Sequence, residues 1–429
     1  MANRYWVGGT GTWDGTALLK WSTTSGGIGG SAVPTTSDTV FFDAASGANT
    51  VTIGAGVATC SNLTMTGFTG TIAFGTNSIT CAGTGTIYTG ATTFSVTGTP
   101  LILCSNSSGT GRTITPTATT EANSISFNVS AGTGTFAITG GSSIKNLNFT
   151  GFTGTLTSTT RTIYGNLTFV SGMTLNAGGN TTTFAATSGT QTITSATQTH
   201  DYPITINGIG GTVQLVDALT MGSSRTLTLT NGTFNSNAKS VTCGAFSGNN
   251  SNTKTFTITN STFTVLSGTS TSGFLLNGVG TTYNVTGSDV VFTTSTAALY
   301  WGGGGSTFPA VTMSGTGQLI IGANGSTFTI TTLSNTVQPC TVSIFSTNTQ
   351  LNVTNFNLSG TAGNLVTFNS SVAGTARTIS KTSGTVNALY LNVKDSTATG
   401  GAKWYANSSN DLGNNTGWNI FNNSFLAVF

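Results

Sequence analysis

Charge is the scarcest commodity in this 429-residue sequence: only 5% of its residues are Asp, Glu, Lys or Arg, against about a quarter in ordinary globular proteins. The 12 basic and 9 acidic residues are scattered singly, so the formal charge of +3 gathers into no field that would draw nucleic acid or an anionic membrane. Solubility must then rest on hydroxyls and amides, which suits an assembled or anchored object better than a free cytosolic one. Strong helix formers are also missing. There is a single Glu, Glu121, and only Ala17-Leu-Leu-Lys-Trp21 reads as a helix-compatible run, so helix is nearly excluded. One His, and five Cys without a CxxC pair, argue against zinc or another transition metal. No apolar run approaches the ~18 residues of a membrane span. The start, Met1-Ala-Asn-Arg-Tyr-Trp-Val-Gly-Gly, has no apolar signal region, so the expectation is a chain made in the cytoplasm without conventional export.

What is present is Gly (59 residues), Thr, Ser and Asn, with 25 Phe among many Val and Ile. Disordered chains are poor in aromatic and β-branched residues, so this composition points to an ordered all-β protein. Asn62-Leu-Thr-Met-Thr-Gly-Phe-Thr-Gly-Thr-Ile72 returns almost unchanged as Asn146-Leu-Asn-Phe-Thr-Gly-Phe-Thr-Gly-Thr-Leu156, and in brief as Asn166-Leu-Thr-Phe169. Apolar residues alternate with Thr and Asn in each copy, which puts them on one face of a strand. The Gly-Phe-Thr-Gly that follows reads as a turn. A recurring strand and turn cannot bury its own apolar face and must stack on its neighbours. The expected fold is therefore an all-β parallel solenoid, β-helix-like, with Leu63, Met65, Phe68, Leu147, Phe149, Phe152, Leu167 and Phe169 inward.

Three regions differ in character. Residues 1–50 hold Trp6, Trp13 and Trp21 and the loop-like Ser25-Gly-Gly-Ile-Gly-Gly30, and read as an N-terminal cap or attachment module, since the open end of a solenoid needs its edges and interior covered. Residues 51–390 are the repetitive body, short alternating runs such as Leu101-Ile-Leu-Cys104 and Phe328-Thr-Ile330 broken by Gly and Asn turns. Its coils are irregular, near twenty-odd residues, which makes roughly fifteen of them. Residues 391–429 bring Trp404 and Trp418 and read as a C-terminal cap with an apolar tail, Phe425-Leu-Ala-Val-Phe429, that needs burial.

Within the body, Cys60, Cys81 and Cys104 fit one buried position repeated on successive coils. A basic-Thr-apolar triplet recurs as Arg112-Thr-Ile114, Arg161-Thr-Ile163, Arg225-Thr-Leu227, Lys254-Thr-Phe256 and Arg377-Thr-Ile379. These cations are expected at one equivalent place, keeping an exposed strand start soluble, with a ligand-facing basic row as the alternative.

Trp13, Trp21, Val33-Pro34, Asp38-Thr-Val-Phe-Phe-Asp43 and Val51-Thr-Ile-Gly54 together resemble the opening segment of β-helical bacterial surface proteins of the autotransporter-passenger type. Tyr5-Trp-Val-Gly-Gly-Thr-Gly-Thr-Trp-Asp14 looks more like phage and prophage virion proteins of the tail-fibre kind. The ending Asp395-Ser, Gly400-Gly401, Trp404 and Asn415-Thr-Gly-Trp418 is similar to that of bacterial and phage repeat proteins. These resemblances imply a virion fibre or appendage: a homo-oligomer, a trimer as in many phage fibres, with its tail buried between subunits. Its partners would be itself, other virion proteins and host surface glycans, and it would be assembled in the host cytoplasm and released by lysis.

Chemistry is thinly represented. A β-helical polysaccharide depolymerase would need paired carboxylates, and only Asp38 with Asp43 and Asp201 with Asp217 are near each other in sequence. Capping of turns by isolated Asp is the simpler account. His200 and Asp201 are adjacent, so in a strand they face opposite ways. No nucleophile elbow or phosphate loop is present. Asp395, Asn410, Asp411, Asn414 and Asn415 could offer oxygens to Ca²⁺ but match no calcium motif. Runs such as Thr226/Thr228/Thr230 invite an ice-binding reading that irregular coils weaken. The expectation is a non-enzymatic structural or adhesive surface protein without cofactor, catalytic residue or metal. A bacterial β-helix adhesin and a depolymerase are the alternatives.

Overall fold

The computed structural model describes residues 2–16, 18–176, 178–269, 271–276, 278–293, 295–301, 307–322, 327–345 and 350–422. It is 52% strand and 1% helix, with parallel sheets stacked as a β-solenoid of about 16 turns. The described helix is two single 3-10 turns, Leu18–Lys20 and Ala44–Ser46. Two compact units divide the chain, residues 1–217 and 218–429.

The first unit begins three-sided. Its first face stacks Asn3–Trp6, Thr39–Phe41, Asn62–Thr64, Gly85–Thr89, Arg112–Thr115, Thr135–Ile138, Thr155–Ser158 and Thr174–Asn176. The second face is a shorter stack of Gly11–Trp13, Thr50–Ile53, Thr71–Gly75 and Ser95–Gly98. The third face carries Thr59–Cys60, Ile79–Cys81, Leu101–Cys104, Ile125–Val129 and Ser142–Asn148, then continues through Arg161–Ile163 to Ile204–Leu215. After a long opening coil, register partners lie from 19 residues apart (Leu156 and Leu175) to 27 (Gly85 and Arg112). In the second unit the longest ladder varies as widely, from Val393 with Asp411 (18) to Phe246 with Phe274 (28). Only the strands repeat faithfully; the loops between them absorb the difference, as surface connections can.

Alternation drives the packing. Ile125–Val129 reads buried at Ile125, Phe127 and Val129 and half-exposed at Ser126 and Asn128, so each coil offers one apolar row to the interior and one polar row to water. All eight residues expected inward, Leu63 through Phe169, are buried. Cys60 and Cys81 are register partners, as are Cys81 and Cys104. All five thiols are buried and free, with the Cys60 and Cys81 sulfurs 3.7 Å apart.

The Gly-Phe-Thr-Gly turn is a corner piece whose glycines have separate jobs. Gly67 and Gly151 take positive φ (83° and 98°), which favours glycine. A Cβ on Gly70 or Gly154 would overlap the carbonyl oxygen of Asn49 or Gly134 on the preceding coil, and the ring of Phe68 or Phe152 lies against the same spot. The two copies nevertheless stand on different faces, since Leu63 lies in a first-face strand and Leu147 in a third-face strand. The repeat therefore marks a kind of corner rather than a fixed place in the coil.

Aromatic clusters occur near both chain ends. Trp6, Trp13, Trp21 and Phe42 pack with centroids 5.1–6.2 Å apart, and Trp21–Ser22 runs antiparallel to Asn3–Trp6, covering that strand's open edge. In the second unit Phe356, Phe368, Trp404 and Trp418 form a similar cluster beside the three-stranded sheet Thr385–Leu389, Lys403–Asn407 and Trp418–Phe421. The apolar tail lies outside the described residues.

Candidate functional site

The carboxylates are consumed by backbone. Asp14 accepts from Thr16 N (2.9 Å), and Asp43 caps the turn at Ala45 N (3.0 Å) and Ser46 N (3.2 Å). Asp38 accepts from Ala2 N (3.2 Å), Thr35 N (3.0 Å) and Thr35 Oγ1 (2.9 Å). Burial pushes its pKa up, but these bonds and the charge of Arg4 outweigh burial and hold it below the usual carboxylate range. Glu121 Oε2 receives Thr187 N and Oγ1, each at 3.3 Å. The sequence pair Asp201 and Asp217 is not a catalytic pair in form: Asp201 is exposed, while Asp217 grips Ser195 N (2.7 Å) and Ala196 N (2.6 Å). That grip holds a turn in which Ala196 and Thr197 both have positive φ.

The calcium candidates are likewise engaged by donors. Asn414 Nδ2 donates to Asp395 Oδ1 (2.7 Å), Gly374 N to Asp395 Oδ2 (3.0 Å), and Asn415 Nδ2 to Asp411 Oδ1 (2.6 Å), while Asn410 Nδ2 turns to Asn392 Oδ1 (2.9 Å). The bond from Asn414 is the main reason the Asp395 pKa is lowered. Asn415 Oδ1 is taken by Ser396 N at 3.1 Å. Amide hydrogens thus occupy the oxygens a cation would want, and among the described residues no three His, Cys, Asp or Glu side chains gather at a metal site. Asp289 is the exception among the acids: half-buried beside Thr312 Oγ1 (3.0–3.1 Å), its pKa is raised by burial.

His200 forms a chain that the sequence conceals. Its Nε2 is 3.0 Å from Ser195 Oγ and its Nδ1 is 2.8 Å from Tyr202 Oη. The pattern resembles a nucleophile with its base, but Ser195, His200 and Tyr202 are all wholly buried, and no substrate can reach a hydroxyl sealed in a packed interior. Asp201, just past the strand Thr199–His200, is exposed to solvent.

The five cations require a correction. Arg112, Arg161 and Lys254 are 1–2% exposed and point inward, and the cations do not share one equivalent place: Arg112 lies on the first face, Arg161 and Lys254 in the long sheet that carries the third face, and Arg377 in another sheet. Each stands two residues before an inward apolar residue, so alternation turns it into the core. Arg112 donates to the carbonyls of Cys104 (3.3 Å) and Ala131 (2.6 Å) and lies over Phe136 and Phe152. Lys254 Nζ donates to Asn250 O (2.5 Å), Asn250 Oδ1 (3.3 Å) and Asn252 O (3.2 Å). Arg225 and Arg377 are half-buried.

The outer surface is where a ligand could meet the protein. On the third face of the first unit a groove of about 380 Å³ is lined by Asn77, Thr99, Ser126, Asn128, Lys145, Asn146 and Asn148 among others, with Leu101 in its wall. Outward register carries this row from Leu103 to Asn128, Asn148, Thr168 and Thr194. The side-chain carbonyl of Asn128 is buried there without a hydrogen-bond partner among the described residues. Threonine register is short by comparison: the row through Thr113 reads Thr86, Thr113, Ala137, Thr157, Asn176, not the flat ladder that ice requires. No family model matches the chain, and no curated protein or solved structure matches it either.

Proposed function

We propose that the chain is a non-enzymatic structural and adhesive protein, a fibre or appendage of a phage virion that meets glycans on the host surface. The observation that carries this reading is a division of labour: carboxylates, the usual tools of glycan cleavage, serve as turn caps, while the groove through Asn128 and Asn148 offers neutral amides and hydroxyls with one cation, Lys145. Amides and hydroxyls match the donor and acceptor pattern of sugar hydroxyls. Lys145 favours a sugar carrying an acidic group. Five buried, unpaired thiols support assembly in a reducing compartment, in keeping with the virion-like opening and closing motifs. Homo-oligomerisation and contact with other virion proteins belong to the same reading.

The test is a panel of capsular and cell-wall polysaccharides, scored for binding and for new reducing or unsaturated ends. Binding without cleavage is expected, and Asn128→Ala with Lys145→Glu should weaken it by at least about tenfold, the equivalent of one or two lost hydrogen bonds. Cleavage abolished by Asp201→Asn or Asp217→Asn would overturn the reading in favour of a depolymerase.

A further inference from the structure

Three cations are turned into the core, and two of them are met by loop carbonyls. Arg161 is not. It is 1% exposed, and its Nε, Nη1 and Nη2 make no hydrogen bond with the described residues. Its electrostatic neighbours are Tyr202, whose ring face lies 4.8 Å from the guanidinium carbon and whose hydroxyl acts on its charge, and the His200 ring. No carboxylate figures among the groups that act on its charge, and both neighbouring titratable groups are neutral near pH 7: burial pushes Tyr202 up to about 12 and His200 down to about 3.

A second orphan stands beside it. Thr182 is the register partner of Arg161 on the next coil, equally inward and 0% exposed, and its Oγ1 has no hydrogen-bond partner either. An isolated guanidinium in an apolar interior is very costly, and arginine does not escape by losing its proton. A guanidinium fork and a hydroxyl on adjacent coils have one neutral oxygen near them, the Tyr202 hydroxyl, and no negative charge. The geometry points to a small monovalent anion of the halide class, held inside the first unit between Arg161 and the Thr182 hydroxyl. An anion supplies the missing charge, which neither the Tyr202 hydroxyl nor a water molecule can. Because the site is sealed, the ion is taken up as the coils close over it, and it acts as a structural counter-ion that fills a place given to backbone carbonyls at Arg112 and Lys254.

The full chain is unfolded in urea, refolded into halide-free sodium gluconate, and melted across a series in which chloride or bromide replaces gluconate at constant ionic strength. A ligand bound only by the folded state adds equal increments of stability for each tenfold rise above its dissociation constant. The wild-type midpoint is expected to climb in this way, Arg112→Met to climb with it, and Arg161→Met to stay flat. Should Arg161→Met fail to fold, wild-type crystals grown in bromide are read instead by anomalous scattering, with a peak expected beside the Arg161 guanidinium. A wild-type midpoint indifferent to halide, or bromide crystals with no such peak, overturns the proposal.

Discussion

His200 shows how a single residue ties this fold to pH. Burial first, and then the charge of Arg161, lower its pKa to about 3, well under the ~6.5 of an unfolded chain. The other groups packed on it, Tyr202, Ser195 and Phe169, carry no charge near neutrality. Between those two values the unfolded chain binds a proton that the folded one refuses, so stability is full above about pH 6.5 and is lost as the pH falls toward 3. The loss can reach on the order of 5 kcal/mol. His200→Gln should lower stability at pH 7 yet flatten the acid limb of a plot of melting midpoint against pH; an acid limb as steep as that of the wild type would show that His200 is not its source. Glycines give a second test at this scale. Gly154→Ala drives a methyl into the carbonyl of Gly134 and should cost on the order of 2–4 kcal/mol. Gly189→Ala, at positive φ (70°) but with nothing near its Cβ, should cost about 1 kcal/mol. Urea midpoints followed by tryptophan fluorescence would rank the two, and equal shifts would remove the close-approach argument.

At the scale of the element, strand alternation made much of this molecule legible in its sequence. It placed Leu63, Phe149 and the cysteine ladder inward. The same rule, applied to Arg112 and Ile114, turns the arginine inward as well, against the expectation that a charge keeps a strand start soluble. What alternation could not supply is which face a strand joins. The nearly identical stretches at Asn62 and Asn146 lie on different faces because coil length is set by loops whose length varies from coil to coil. The groove was hidden for the same reason, since Asn77, Asn128 and Lys145 meet only once four coils are stacked in register. The cysteine ladder carries a prediction of its own. The Cys60 contact and burial raise the pKa of Cys81, and burial raises those of Cys104 and Cys243, so little nucleophilic thiolate forms. Native protein should therefore resist thiol reagents at pH 8, and all five thiols should react in denaturant; rapid native labelling of Cys81 would contradict the stacked geometry.

Across the whole molecule the recurring problem of a solenoid is its ends, because every interior strand is paired on both sides and a terminal one is not. Near the start, Trp21–Ser22 answers this by folding back on Asn3–Trp6. Near the other end, Trp418–Phe421 pairs with Lys403–Asn407 and has no strand partner on its far edge among the described residues. Apolar side chains are exposed in the same part of the second unit: Leu389, Leu412 and Phe421 are each about half exposed, and the Phe421 ring stacks on Tyr405 with centroids 6.4 Å apart. An edge unpaired among the described residues, with the Phe421 side chain exposed on it, is a template for adding a strand from another chain. The proposed homo-oligomer places its subunit contact there. Light scattering of the intact chain should then report an oligomer, a trimer if the likeness to phage fibres extends to assembly. Phe421→Lys combined with Asn419→Lys puts two ammonium groups into that contact and should shift the population to monomer while leaving the far-UV spectrum unchanged. A monomeric wild type would defeat the oligomer outright, and an oligomer untouched by the two lysines would move its contact away from this edge.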